Sequence, residues 1–152
     1  MIRSAPLRAI VALVVASVII SPLCHAELKE TVMVPMRDGV KLATDVYVPA
    51  GDGPWPTILV MTPYSRKSVG AFAPDASRRG YALVSQDFRG RFDSEGVDYP
   101  VFVHNGWGEH QDGYDTVEWV ARQKWSNGKV GGFGISAPAC ALNMTPRAAR
   151  PT

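Results

Sequence analysis

The stretch Lys129-Val130-Gly131-Gly132-Phe133-Gly134-Ile135-Ser136-Ala137-Pro138 constrains this chain more than any other. It reads as a short buried strand, a tight turn presenting Ser136, and the start of a helix. Gly134 to Pro138 is a Gly-x-Ser-x-Gly pattern with its last glycine replaced by Pro138. Small residues two before and two after such a serine let strand and helix pack closely while the serine takes a strained backbone. Gly134 meets that need and Pro138 meets it in part. Pro138 would fall in the first helical turn, where a missing N–H costs little because those groups lack intrahelical partners. The motif alone leaves two readings open: an exposed nucleophile, or an ordinary serine in a strand-to-helix turn.

The upstream order gives the turn its setting. Leu28 to Met36 alternates imperfectly and predicts a first strand. Arg37-Asp38-Gly39 supplies an Asp-Gly turn, a strong hairpin signal. Val40 to Val48 then alternates as a second, antiparallel strand, and Pro49 to Pro54 is a loop by composition. Thr57 to Met61 is a continuous apolar run, the pattern of a strand covered on both faces, and it stops at Thr62-Pro63-Tyr64. Asp75 is expected to cap a short helix through Arg79, with Gly80 as its stop. Tyr81 to Gln86 is the next buried strand, ending in Asp87. Phe88 to Gly108 has no helical period and predicts a long loop. Gln111 to Gln123 carries Val117, Val120 and Ala121 at helical spacing, with Asp112, Asp115 and Glu118 towards its start, where the dipole favours them. Ser126-Asn127-Gly128 is a turn, and Val130 to Ile135 the final strand. A hairpin followed by alternating strands and helices predicts an α/β fold with a mostly parallel sheet and flanking helices. Ligands then bind at the carboxyl ends of the strands, where Tyr64, Asp87 and Ser136 fall.

Residues 1–26 stand apart from this domain of residues 27–152. Arg3 and Arg8 precede the apolar run Ala9 to Ile20, and Pro22 and Cys24-His25-Ala26 follow. This is the layout of a secretory signal peptide, with cleavage expected after Ala26 and a secreted or periplasmic product. The run is short for a bilayer span, so no stable membrane anchor is expected. Removing Arg3 and Arg8 balances the acidic and basic residues, which gives no field for nucleic acid. It also leaves Cys140 as the sole cysteine, expected to be a small packing residue on the helix face that Ser136 begins.

A serine hydroxyl attacks only when a base removes its proton and its turn exposes the oxygen. The Ala137 N–H, at the helix start, would point to where an oxyanion forms. The blocks around these residues resemble one family. Arg37 to Pro49 with Thr62-Pro63-Tyr64, then Arg79-Gly80-Tyr81-Ala82, Gln86 to Arg91 with Ser94-Glu95-Gly96, Asp112 to Trp119, and Trp125 to Gly131 look like the N-terminal blocks of the Xaa-Pro dipeptidyl-peptidase and cocaine-esterase-like (CocE/NonD) α/β-hydrolases. The resemblance implies a serine hydrolase of ester, amide or peptide bonds with a Ser-Asp-His triad. It further implies Ser136 as nucleophile, and Tyr64 as donor of its phenol to the oxyanion beside the Ala137 N–H.

Other candidates carry less. Asp87, Arg89, Arg91, Asp93 and Glu95 are expected to form ion pairs within the long loop. His104 and His110, beside Glu109, match no zinc spacing and read as a solvent-facing loop. Gly132 and Gly134 begin a dinucleotide fingerprint, but Ala137 stands at its third glycine and no acidic residue follows. Neither metal nor cofactor is expected.

The chain also departs from the family. Acid and histidine follow the serine in such hydrolases, yet Ala137 to Thr152 hold no Asp, Glu or His, and His104 and His110 precede it. The chain is therefore expected to be the N-terminal part of a family member, truncated or frame-shifted after the elbow. Pro146 and Pro151 are expected to break the last helix. The sheet is expected to end on an unpaired apolar edge that promotes self-association. The competing reading is a catalytically inert or non-enzymatic secreted product. Substrate choice and oligomeric state are not written in these motifs.

Overall fold

The computed structural model describes residues 27–97, 102–106 and 109–148. The expected signal segment, part of the long loop and Pro151 lie outside them. β1 (Glu27–Pro35) and β2 (Lys41–Val48) form the expected antiparallel hairpin. Gly39 closes it at φ +86°, a conformation open to glycine, and the Met36 N–H donates to the Val40 carbonyl at 2.8 Å. β3 (Trp55–Thr62) and β4 (Ala82–Asp87) run parallel. β5 (Ser126–Gly132) lies parallel to β3 on its other side, giving the order β1-β2-β4-β3-β5.

The crossovers cover both faces. Between β3 and β4 the chain passes through α1 (Arg66–Val69), a 3₁₀ turn and α2 (Ala73–Arg78). Between β4 and β5 it passes through α3 (Val103–Gly106) and α4 (Asp112–Ala121), and α5 (Ala137–Ala148) follows β5. Successive strand residues point to opposite faces. Val60 and Leu83 therefore pack with Val69, Ala73 and Ala76, while Leu59, Met61, Ala82 and Val84 pack with Val120, Trp125 and Ala141. This two-sided burial explains why β3 reads as a continuous apolar run and why β4 is buried along its whole length. Each large aliphatic side chain so buried contributes about 1.5–3 kcal/mol, so β3 and β4 carry the core.

Several boundaries differ from the sequence expectation. α2 begins at Ala73, not Asp75, because Pro74 in its first turn already has a helical φ. Asp75 caps nothing and instead accepts bonds from Arg78 and Arg79 at 3.0 Å each, while Gly80 ends the helix at φ +76° as expected. β5 spans Ser126–Gly132 rather than Val130–Ile135. Its register with β3 shifts between Trp55 and Thr57, which absorbs the Asn127-Gly128 turn into the strand's start. The long loop contains α3, whose Gly106 abuts the Met144 carbonyl so closely that a Cβ would overlap it. α5 continues through Pro146 to Ala148. So near the helix end, proline removes one backbone bond, while the Thr145 hydroxyl bonds the Ala141 carbonyl at 3.0 Å. The outer strand β5 is glycine-rich with Lys129, not the apolar edge expected.

Arg89, just past β4, ties the loop to both neighbours. Its Nε and Nη2 donate to Asp112 at 3.0 and 2.6 Å, and its Nη1 to Asp38 at 2.7 Å. The Arg89 hydrogen bonds hold the Asp38 carboxyl below its usual 3.8, against the opposing effect of burial. A lowered folded pKa means the stabilisation is complete above the unfolded value and is lost as pH falls through the folded one. The melting temperature of wild type should therefore exceed that of Asp38→Asn by a constant margin from neutral pH down to about 5, and the margin should shrink below about 4. A pH series of thermal melts checks this; a margin unchanged to strongly acid pH contradicts it.

Candidate active site

β3 sits between β4 and β5, so the chain leaves it to one side and later returns on the other. Such a reversal opens a crevice at the carboxyl ends of the two parallel strands. Tyr64 follows the end of β3, and Ser136 follows the end of β5. The sheet order thus brings the two candidates to the same end of adjacent strands.

Ser136 takes φ +60°, which a residue with a Cβ adopts only under local constraint. The constraint is visible on both sides. A Cβ on Gly134 would stand 2.6 Å from the Pro138 carbonyl carbon and 2.7 Å from the Ala139 nitrogen, so only glycine lets strand and helix close here. Downstream, the Ser136 carbonyl accepts the Cys140 N–H at 3.1 Å and so starts α5. Upstream, the Phe133 N–H still bonds the Leu59 carbonyl of β3 at 3.2 Å. Pro138 lies in the first turn of α5, where its missing N–H is harmless, and Ala137 is the buried first helical residue. Ser136 is exposed on the turn.

On the other wall, the Tyr64 N–H donates to Thr62 Oγ1 at 3.0 Å, and the residue is 60% exposed. Thr62, Tyr64, Val69 and Phe72 line a cleft of about 170 Å³ together with Phe133 and Gly134 of the elbow strand. Tyr64 and the elbow residues Gly134, Ile135 and Pro138 therefore border one opening. A larger cavity, about 260 Å³, lies beneath α5 against Met61, Tyr114, Val117 and Leu142. It is mostly apolar and lies on the sheet face that α4 and α5 cover, reaching Gly132 at the end of β5 and Pro138 of the elbow.

The sequence reading missed Arg66. It is 3% exposed and sits among three acids, from β2, the end of β4 and the loop that follows: Nε to Asp45 Oδ1 at 2.9 Å, Nη1 to Asp87 Oδ2 at 2.6 Å and to Asp93 Oδ2 at 2.8 Å. Burial opposes its charge, but the bonds to Asp87, Asp93 and Asp45 outweigh this and raise its pKa further. The available signal was an arginine directly after a buried strand, with lone acids in β2 and at the end of β4. The expected loop network is thus redistributed. Asp87 and Asp93 meet Arg66, Arg89 reaches Asp38 and Asp112, and Glu95 accepts the Lys41 N–H at 2.9 Å.

His104 and His110 are not simply solvent-facing. Their rings meet edge to face at 4.6 Å, and His110 Nδ1 lies 3.0 Å from Asp38 Oδ2. The described residues hold no group of three metal-ligating side chains. Cys140 is exposed, not a packing residue, because Ala137 and Ala141 form the stripe that α5 buries and Cys140 lies off it.

With this geometry in place, comparison with known proteins is specific. Residues 38–151 match the family model described as X-Pro dipeptidyl-peptidase (S15 family). The chain is 45% identical to a cocaine esterase from Rhodococcus sp. over 111 residues, which is 69% of this chain and 18% of that protein. A CocE/NonD family hydrolase from Staphylococcus aureus superposes at a TM-score of 0.65 with 28% identity, over 79% of this chain and 24% of that one. An α-amino acid ester hydrolase superposes at 0.62 with 32% identity, over 76% of this chain and 22% of its own. The chain spans about a fifth of the length of the curated relatives it matches.

Proposed function

The chain belongs to the X-Pro dipeptidyl-peptidase (S15) family of α/β-hydrolases, and on that premise we propose that the whole protein cleaves an acyl bond through an acyl-enzyme on Ser136. A base takes the hydroxyl proton as Ser136 Oγ bonds the carbonyl carbon. The resulting oxyanion is held by the Tyr64 phenol and the Ala137 N–H. The leaving alcohol or amine departs with the proton, and water then releases the acid and restores the hydroxyl. Two donors aimed at developing charge act far more strongly in a water-poor cleft than in solution, each worth roughly 10²–10³ in rate. Residues 137–152 contain no Asp, Glu or His; in this reading the base and its acid belong to other parts of the whole protein.

The observation that carries this reading is Ser136 at φ +60° between β5 and α5, with Gly134 and Pro138 pressed together across the turn. The substrates are small esters, amides or peptides; esters and peptides are what the names of the relatives mention. Export fits the pattern of residues 1–26, with the mature chain starting at Glu27.

A fluorophosphonate probe applied to cell fractions tests both parts. The expected result is a labelled protein outside the cytoplasm, its N-terminus at Glu27 and the adduct on Ser136 by peptide mass spectrometry. An unmodified Ser136 in the folded whole protein overturns the hydrolase reading in favour of an inert one. A labelled protein retained in the cytoplasm overturns export alone.

A further inference from the structure

A phenol that stabilises an oxyanion must be held in place before the charge develops. Packing among the described residues holds Tyr64 only in part, since it is 60% exposed. Its direction is set by its backbone, and that backbone is unusual. Ser65, the next residue, stands at φ +87° and ψ +120°, a conformation that side chains with a Cβ rarely adopt. Such strain persists only where the surroundings over-determine it.

The surroundings here are two buried carboxylates and one buried arginine. Asp87, fully buried at the end of β4, accepts the Arg66 main-chain N–H on Oδ1 and the Arg66 guanidinium on Oδ2, both at 2.6 Å. Asp45 of β2 takes the Arg66 Nε at 2.9 Å and is itself held by the Thr31 hydroxyl at 2.8 Å. The Ser85 hydroxyl bonds the Arg66 carbonyl at 2.6 Å. On the other side of the strained residue, Thr62 Oγ1 holds the Tyr64 N–H. Ser65 is thus pinned from both directions, by β3 on one side and by β4 with β2 on the other.

We propose that Asp87 and Arg66 form a clamp that forces Ser65 into its left-handed turn and thereby positions the Tyr64 phenol over the candidate oxyanion site. This rests on the hydrolase reading above and adds positioning residues that touch no substrate. Their effect runs through Tyr64 and belongs to the chemical step. Releasing the clamp lets Ser65 relax to negative φ and swings the phenol away, leaving the nucleophile untouched.

The test is a mutant cycle in the whole protein, read as kcat and KM on an aryl ester with Tm measured alongside. Tyr64→Phe is expected to lower kcat by roughly 10²-fold. Asp87→Ala should lower kcat about as far with KM little changed, because misplacing a catalytic group by an ångström costs on the order of 10²-fold. Asp87→Asn, which still accepts the Arg66 N–H, should recover part of that loss. Added to Tyr64→Phe, Asp87→Ala should cost no more than Tyr64→Phe alone, since the group it positions is already gone. Should Asp87→Ala fail to fold, Ser65→Gly decides. It relieves the strain, so Tm should hold or rise, while kcat falls about 10-fold as the turn loosens; in the Tyr64→Phe background it should add nothing. Losses that multiply with Tyr64→Phe, or a fully active Ser65→Gly, overturn the clamp. A wild-type protein with no turnover and no probe adduct overturns the hydrolase reading and takes the clamp with it.

Discussion

Replacing Ser136 with alanine in the whole protein is expected to lower kcat for ester hydrolysis by roughly 10⁴–10⁶-fold, the size expected when a nucleophile of a cooperating set is removed. KM should move little, because the hydroxyl contributes to bond making and hardly to binding. The fold should be indifferent to the change. Ser136 is exposed, and alanine keeps the same Cβ at the same φ of +60°. What persists should be the slow hydrolysis by water that a preformed oxyanion site still assists. That residue of activity should fall further when Tyr64→Phe is added, since the two changes remove different contributions. Steady-state kinetics on the purified protein, with a melting curve to confirm folding, give the answer. Turnover within tenfold of wild type would mean that the serine is an ordinary turn residue and that the elbow geometry serves packing only.

The sequence made some of this legible because some of its signals are local. The period-two pattern and the Asp38-Gly39 turn define the hairpin without help from anything distant. The apolar runs at Thr57–Met61 and Tyr81–Gln86 announce two-sided burial, which α1, α2, α4 and α5 supply. The elbow is legible because Gly134 is the residue a close crossing demands, while Pro138 fits the first helical turn. What escaped the sequence depends on groups far apart in the chain. Arg66 looks like a surface arginine until β2 and β4 bring Asp45 and Asp87 to it. The end of β5 is set by its register against β3, including a shift that no local pattern signals. Cys140 looks like a packing residue by type, yet its rotation on α5, fixed by Ala137 and Ala141, turns it outward. Local propensity fixes elements, and pairing partners decide which polar groups those elements bury.

The same long-range pairing predicts the largest stability effect. Arg89→Met should destabilise the protein by about 3–5 kcal/mol, because it strands a buried partner charge. Asp112 is 2% exposed and receives two bonds from Arg89, at 2.6 and 3.0 Å. Burial pushes the Asp112 carboxyl above its usual value, and the Arg89 hydrogen bonds and charge offset this only in part. A permanently charged guanidinium bonded to both its oxygens favours the ionised form of the carboxyl. Removing the arginine leaves desolvation unopposed, so Asp112 must either keep an unpaired charge or bind a proton. Either course costs more than methionine recovers by packing. At about 2–8 °C per kcal/mol for domains of this size range, the midpoint should drop by at least 6 °C or so. The double variant Arg89→Met, Asp112→Leu should recover part of the loss, since it removes the stranded charge together with its partner. The exposed pairs of Asp75 with Arg78 and Arg79 offer the contrast: Asp75→Ala should leave the melt where it was, as water already screens those charges. Thermal and denaturant unfolding of the three variants decide the matter. An Arg89→Met protein that melts with wild type would show that Asp112 finds another partner, and that the bridge from β4 to the hairpin and α4 does not hold the loop beside the candidate site.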